Sequence, residues 1–291
     1  MSGRDLPPPE SGLLLRLTAP LQSWGEHSHF TDRDTAAFPT RSGVIGLLAA
    51  ALGRRRGESI ADLTRLSLTV RVDRPGVRLR DLHTVGGGLP AKATVTTAEG
   101  KKRSGETTTL LSHRHYLADA AFTIALTTPH TPDSTEAERA EAHDLLACCE
   151  SALRFPQWPL YLGRRSCPPE GPLLLTRADD ALHHLVRLPL AAMSPTPAGV
   201  EFISDRPLHT LPVPEALLTA DASDGAHASG QATDEPLTFH TTRRDYRARP
   251  LYRRSLHLPA EQYAGLGTQQ LDALTTYLTR HLPKPLEGRR P

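Results

Sequence analysis

The residues that cross-link a chain, bind soft metals or fill large apolar cores are scarce here. Among 291 residues stand three cysteines, two methionines and two tryptophans, and aromatic residues make up 5%. Adjacent Cys148 and Cys149 are badly placed to pair with each other, and with Cys167 they form no CxxC spacing. A disulfide framework and a cysteine zinc site are therefore excluded, and reduced thiols in a cytoplasmic compartment are expected. No apolar run approaches the roughly 20 residues that a membrane helix needs. The polar opening MSGRDLPPPESG lacks the core of a signal peptide. An excess of one charge is also missing. Lys plus Arg number 34 against 32 Asp plus Glu, a net +2, so any polyanion must be met by a local basic surface. The chain has no GxxxxGK[ST] loop, HExxH, GxSxG or dinucleotide fingerprint, so neither a metal nor a cofactor is expected.

What is present reads as an α+β chain. The 26 prolines and 21 glycines imply many turns and long loops. Residues 1–12 read as a disordered leader. Leu13–Thr18 reads as a buried strand, Ser42–Leu52 as a helix capped by Thr40 or Ser42 and ended by Gly53. Arg54, Arg55 and Arg56 fall at its negative end. Ile60–Leu66 reads as a short helical turn, Ser67–Asp73 and Leu79–Val85 as strands, Tyr116–Leu126 as one further strand, and Thr135–Leu153 as an amphipathic helix. Between them, Gly86–Ser112 has almost no large apolar residues and is predicted to project as an arm. The order strand, helix, two strands, helix, strand suggests a ferredoxin-like (RRM-type) domain over residues 13–171. A smaller, β-rich C-terminal portion is expected over 172–255, with Leu173–Leu175 and His184–Leu188 as short strands and 219–235 as a disordered linker. A helical extension follows over 256–291, with Leu271–Leu282 as its helix.

Several groups suit RNA. At the start of the first predicted helix, Thr40, Arg41 and Ser42 sit where unpaired N–H groups favour a phosphate; the same residues also make an ordinary helix cap. Just past the first strand, Trp24 can stack on a splayed base and Gln22 can read a base edge, or the Trp can plug the sheet. Tyr161, Arg164 and Arg165 offer an aromatic ring and bidentate phosphate contacts. Lys101, Lys102 and Arg103 on the arm, with Arg114 at its base, suit a clamp on a polyanion. Arg243, Arg244, Arg247, Arg249, Arg253 and Arg254 form a dense basic cluster that can track a backbone or lie in solvent. His83 reads as a structural or RNA-contacting histidine. His113 and His115 share one face of a strand and allow acid–base cleavage of RNA without metal, or are simply polar strand residues.

Four motifs in order, PLQSWG, FPTRSGVIGLLAAALG, RDLHTV and YLGRRSCP, resemble the Cas-five family of CRISPR-associated proteins. The branch most similar is type I-E, whose members are subunits of the Cascade surveillance complex. The resemblance runs from Leu13 to about residue 255. It implies a ferredoxin-like body with a projecting thumb, here residues 86–112, and one copy bound to the 5′ handle of the CRISPR RNA (crRNA). It implies contacts to the backbone subunit and to the large PAM-reading subunit, and access to target DNA only through the complex. In the I-E branch the subunit is non-catalytic, which implies that handle binding carries over and cleavage does not. The related I-C branch cuts RNA itself, so a metal-independent endoribonuclease using His113 or His115 is the alternative. The segment 219–235 and the tail from 256 are longer than the family's usual core.

Overall fold

The computed structural model describes residues 8–25, 28–29, 31–86, 109–129, 133–214, 217, 225–240 and 244–282. Its centre is β1 (Gly12–Thr18), buried along its whole length. The LLL run follows from that position. Alternate residues of a strand point to opposite faces, and both faces are covered here. Leu13, Leu15 and Leu17 enter one hydrophobic core, while Leu14 enters the other. The expected strand is thus present, one residue longer at its start.

On the first face lie α1 (Arg41–Ala51) and α2 (Glu136–Arg154). Thr40 caps α1, its hydroxyl accepting from the Gly43 N–H at 3.3 Å. Thr135 and Glu138 form a reciprocal capping box on α2. Both helices stand within one residue of the sequence expectation. Cys149 of α2 is buried in the core between them, and burial pushes its thiol up to about 12, so it stays protonated.

The main sheet is antiparallel throughout. It contains β5 (Ser67–Arg74), β8 (Ala121–Thr127), β9 (Leu174–Ala178), β10 (Val200–Ser204), β11 (Gly230–Phe239) and β12 (Arg244–Leu256) beside β1, in the order β11-β12-β10-β5-β8-β1-β9. The sheet therefore runs across residue 171, where sequence placed a division. A second sheet joins β2 (Leu21–Gln22), β3 (Ser28–His29), β4 (Asp32–Arg33), β6 (Val77–Gly86) and β7 (Thr109–Ala118). Strands β6 and β7 pair over their full length as an antiparallel ribbon. They flank residues 87–108, so the inner part of the predicted arm lies outside the described residues.

Three sequence expectations are corrected. The single strand Tyr116–Leu126 is two strands, β7 and β8, in different sheets. Asp119 between them takes the left-handed conformation, with φ 56°, which turns the chain. His184–Leu188 is not a strand; most of it lies in α3 (Ala181–Arg187), capped by the Asp180 carboxylate accepting from His183 N–H at 2.9 Å. Short apolar runs do not distinguish the two states, and the cap decides. The 219–235 stretch ends in β11, so Gly230–Glu235 is ordered strand. Its polar composition is compatible with burial because its acids find arginines, as described below.

On the second face, α3 and α4 (Thr268–His281) cover Phe202 and Leu256 with Leu185 and Leu274. No helix among the described residues is long and apolar enough to cross a membrane. The polar seam between α3 and α4 is a histidine cluster. His184 Nδ1 lies 3.0 Å from the Tyr277 hydroxyl, and the Tyr277 and His281 rings are 4.6 Å apart. Burial lowers the pKa of His184, with His183, His281 and Arg187 adding repulsion against Asp180's attraction. His183 is lowered in the same way. A depressed histidine contributes stability above its ordinary value of 6.5 and loses it as the pH falls through the folded value. Thermal unfolding should therefore show a falling Tm from pH 7 to pH 5. His184→Gln should flatten that slope, and an unchanged slope would remove His184 as its source.

Candidate nucleic-acid interface

The motif blocks meet at the start of α1. Trp24 is 1% exposed. Its ring lies on α1 at Gly43, where an added Cβ would sit 2.7 Å from Trp24 Cε3. Its indole N–H donates to Gln22 Oε1 at 3.1 Å, and the Gln22 amide donates to the Leu17 and Ala120 carbonyls at 3.1 and 2.8 Å. Both side chains therefore serve the fold. The expectation that they stack on and read bases is corrected, because neither has an open polar edge or ring face.

The Tyr161–Pro168 loop closes on the same place. Ser23 N–H donates to the Leu162 carbonyl at 3.1 Å, and Cys167 N–H to the Arg164 carbonyl at 2.9 Å. Gly163 takes φ +92°, and a Cβ there would fall 1.7 Å from the Ser23 carbonyl oxygen, so only glycine allows this approach. Arg164 is a clamp. It donates to the carbonyls of His115 at 2.9 Å, Arg33 at 2.7 Å and Asp34 at 3.2 Å, and stands over the Tyr116 ring at 4.8 Å.

Arg41 is buried, not presented to solvent. Its guanidinium pairs with Asp205 and Glu235 and donates to the Thr64 carbonyl at 2.7 Å. The Arg41 backbone N–H, at the positive end of α1, donates to Asp234 Oδ2 at 2.7 Å. Arg249 of β12 holds the same Asp234 through two bonds of 2.6 and 3.0 Å. The helix start thus already carries an anion, a carboxylate of β11. This corrects the reading of Arg41 as an exposed phosphate ligand.

These contacts frame a groove of about 950 Å³ over the outer face of α1. One wall is Trp158, Pro159, Tyr161 and Arg164; the other is the β11–β12 hairpin, with Thr233, Phe239, Arg244 and Tyr246. The floor includes Ser42, Gly43, Gly46 and Ala50. At the far end of α1 stand Arg54, Arg55 and Arg56. Arg54 is chelated by Asp62, whose carboxyl it holds below the usual range by hydrogen bonding. Arg55 and Arg56 are exposed. Among the described lining residues, Arg33, Arg54, Arg55, Arg56, Arg164 and Arg244 face one carboxylate, Glu58. A single-stranded polyanion with flat bases suits such a surface.

Of the sequence candidates, Thr40, Ser42, Tyr161 and Arg164 line the groove with the edge of Trp24, and exposed Arg165 lies next to Arg164. His83, His113, Arg114 and His115 stand on the β6–β7 ribbon and do not line it. His83 lies 2.6 Å from Asp81, His115 Nε2 3.2 Å from Asp32, and the His113 ring nitrogens 3.1 and 2.8 Å from the Arg80 guanidinium. Lys101, Lys102 and Arg103 lie outside the described residues. In the C-terminal basic cluster, Arg244 lines the groove and Arg247 is exposed. Arg249 is committed to Asp234, and Arg253 to Glu201 at 2.6 Å. Missed by sequence as groove residues were Trp158, Phe239 and Tyr246. The dense FPQWP aromatics after α2 were the available signal for the first.

Fold and groove together define a mixed α/β protein with antiparallel sheets and a basic, aromatic-walled cleft. The family described as CRISPR-associated protein (Cas_Cas5) matches residues 12–252, and the chain belongs to it. The CRISPR system Cascade subunit CasD of Escherichia coli (strain K12) is 32% identical over 256 residues, covering 83% of this chain and 95% of that protein. A chain of a CRISPR RNA-guided surveillance complex superposes with a TM-score of 0.71 and 38% identity, covering 92% of this chain and 99% of its own. The crystal structure of a Cas protein superposes with a TM-score of 0.53 and 30% identity, covering 88% and 98%.

Asp234 joins one wall of the groove to its floor. Asp234→Ala leaves the buried Arg249 guanidinium without its anion and the first N–H of α1 without its acceptor, and should cost about 3–5 kcal/mol. Urea unfolding measures this, and a loss below about 1 kcal/mol would show that the cluster is dispensable.

Proposed function

We propose that this chain is the non-catalytic Cascade subunit that grips the 5′ handle of the crRNA in the α1 groove and caps that end of the complex for antiviral DNA targeting. The observation that carries this is the concentration of arginines and open aromatic rings in one groove of a nearly neutral chain. Family membership and the likeness to a surveillance-complex chain support it. Arginines supply affinity through phosphates, and specificity comes from splayed bases stacked on the walls.

The body is read as ferredoxin-like. The partial order β9-β1-β8-β5 within the sheet, with α1 and α2 on one face, supports that arrangement. The β6–β7 ribbon is the root of the thumb, whose Lys101, Lys102 and Arg103 reach the backbone subunit or the guide. His83 and Arg114 on that ribbon are proposed as thumb-side RNA contacts. The large PAM-reading subunit is the second protein neighbour, and the compartment is the cytoplasm. Absence of catalysis is supported by the placement of His113 and His115 outside the groove, against Arg80 and Asp32.

Labelled CRISPR repeat RNA, incubated with the purified chain with and without EDTA, tests this. Handle-dependent binding without cleavage is expected. EDTA-resistant cleavage lost in His113→Ala or His115→Ala would make the chain a processing enzyme instead. Replacing Arg55, Arg56 and Arg244 together by Ala should weaken handle binding at least about tenfold. It should also flatten the slope of log K against log salt by about 2, near 0.7 per lost phosphate contact on a single strand. An unchanged slope would place the phosphates elsewhere.

A further inference from the structure

Gly46 lies in the middle of α1, on its outer face, where a helix is weakened by glycine. Packing explains its neighbour Gly43, which Trp24 overlies, but it does not explain Gly46. Among the described residues, a Cβ at Gly46 would find Phe239 Cε2 and Cζ alone, both at 3.9 Å, an ordinary contact. The described residues leave room for a side chain there. The groove passes over this point, with Phe239 on one side and Trp158 on the other wall. Trp158 is 38% exposed, whereas Trp24 is 1% exposed. Exposed tryptophan beside arginine is the usual platform for a base of a single strand. Arg55 and Arg56 at the end of α1 stand ready for the adjoining phosphates.

We infer that the single-stranded guide crosses α1 at Gly46, in contact with the helix backbone, and stacks one base on Trp158. This rests on the reading that the groove holds the crRNA. It assigns to Trp158 the stacking that the sequence suggests for Trp24, and it gives Gly46 a reason that internal packing does not.

The test separates stability from binding. In the purified full chain, Gly46→Ala should raise Tm by about 2 °C, as a relieved helix glycine does. The same variant should bind labelled single-stranded CRISPR repeat RNA about tenfold more weakly, since a methyl group then stands where the strand lies. The chain has two tryptophans, so RNA should quench emission in the parent and leave Trp158→Phe nearly unquenched. Trp158→Ala should bind about tenfold more weakly than the parent. A Gly46→Ala chain that is stabilised yet binds as the parent does, or quenching that persists in Trp158→Phe, would overturn the seat while leaving the groove reading intact. A lowered Tm in Gly46→Ala would assign the glycine to packing and overturn the inference. A parent chain that binds no repeat RNA, alone or within the assembled complex, would overturn the groove reading and the seat with it.

Discussion

The buried ionic cluster around Asp234 is the constraint on which the groove depends. One carboxylate accepts from the first N–H of α1 and from Arg249 of β12. Arg41 adds Asp205 and Glu235. Asp205 also accepts from the Leu68 N–H at 2.9 Å, which ties the cluster to β5. Five buried or nearly buried charges are costly to desolvate, and only mutual pairing offsets that cost. Such a cluster contributes less to net stability than to fixing one arrangement of its parts. Here it fixes the hairpin against the helix start, and these are one wall and the floor of the groove.

That coupling also explains why the sequence was only partly legible. Elements whose pattern is local were readable: the apolar run of β1, the Thr40 cap of α1, the amphipathic pattern of α2 and the alternation of β5. Elements decided by distant partners were not. The acids of β11 look like linker residues until Arg41 and Arg249 are placed beside them, and Arg41 is 193 residues from Asp234. The break between β7 and β8 rests on one left-handed aspartate, which alternating hydrophobicity does not report.

The candidate site was legible as a region and misread in its details. Sequence brought Ser42, Tyr161 and Arg164 to notice, and they share the groove. It assigned contact to the residues with the most suggestive chemistry, Gln22, Trp24 and Arg41, all of which are buried. A side chain rich in hydrogen-bonding or packing capacity is equally useful inside a protein, and only burial distinguishes the two uses. Trp158, in a short proline-flanked turn, lacked a motif and keeps an open face.

The same distinction governs charge. The +2 total gives no hint of a polyanion site. Many arginines are neutralised within the fold: Arg41, Arg71, Arg249 and Arg253 each pair with a carboxylate. Subtracting those committed cations leaves Arg55, Arg56 and Arg244 open along a single groove, with Glu58 as the one acid among its described lining residues. Field over that surface is set by these nearby charges, since charges beyond about 8–10 Å are largely screened at physiological salt. A chain can therefore be almost neutral as a whole and still present a strongly cationic path to one strand of nucleic acid.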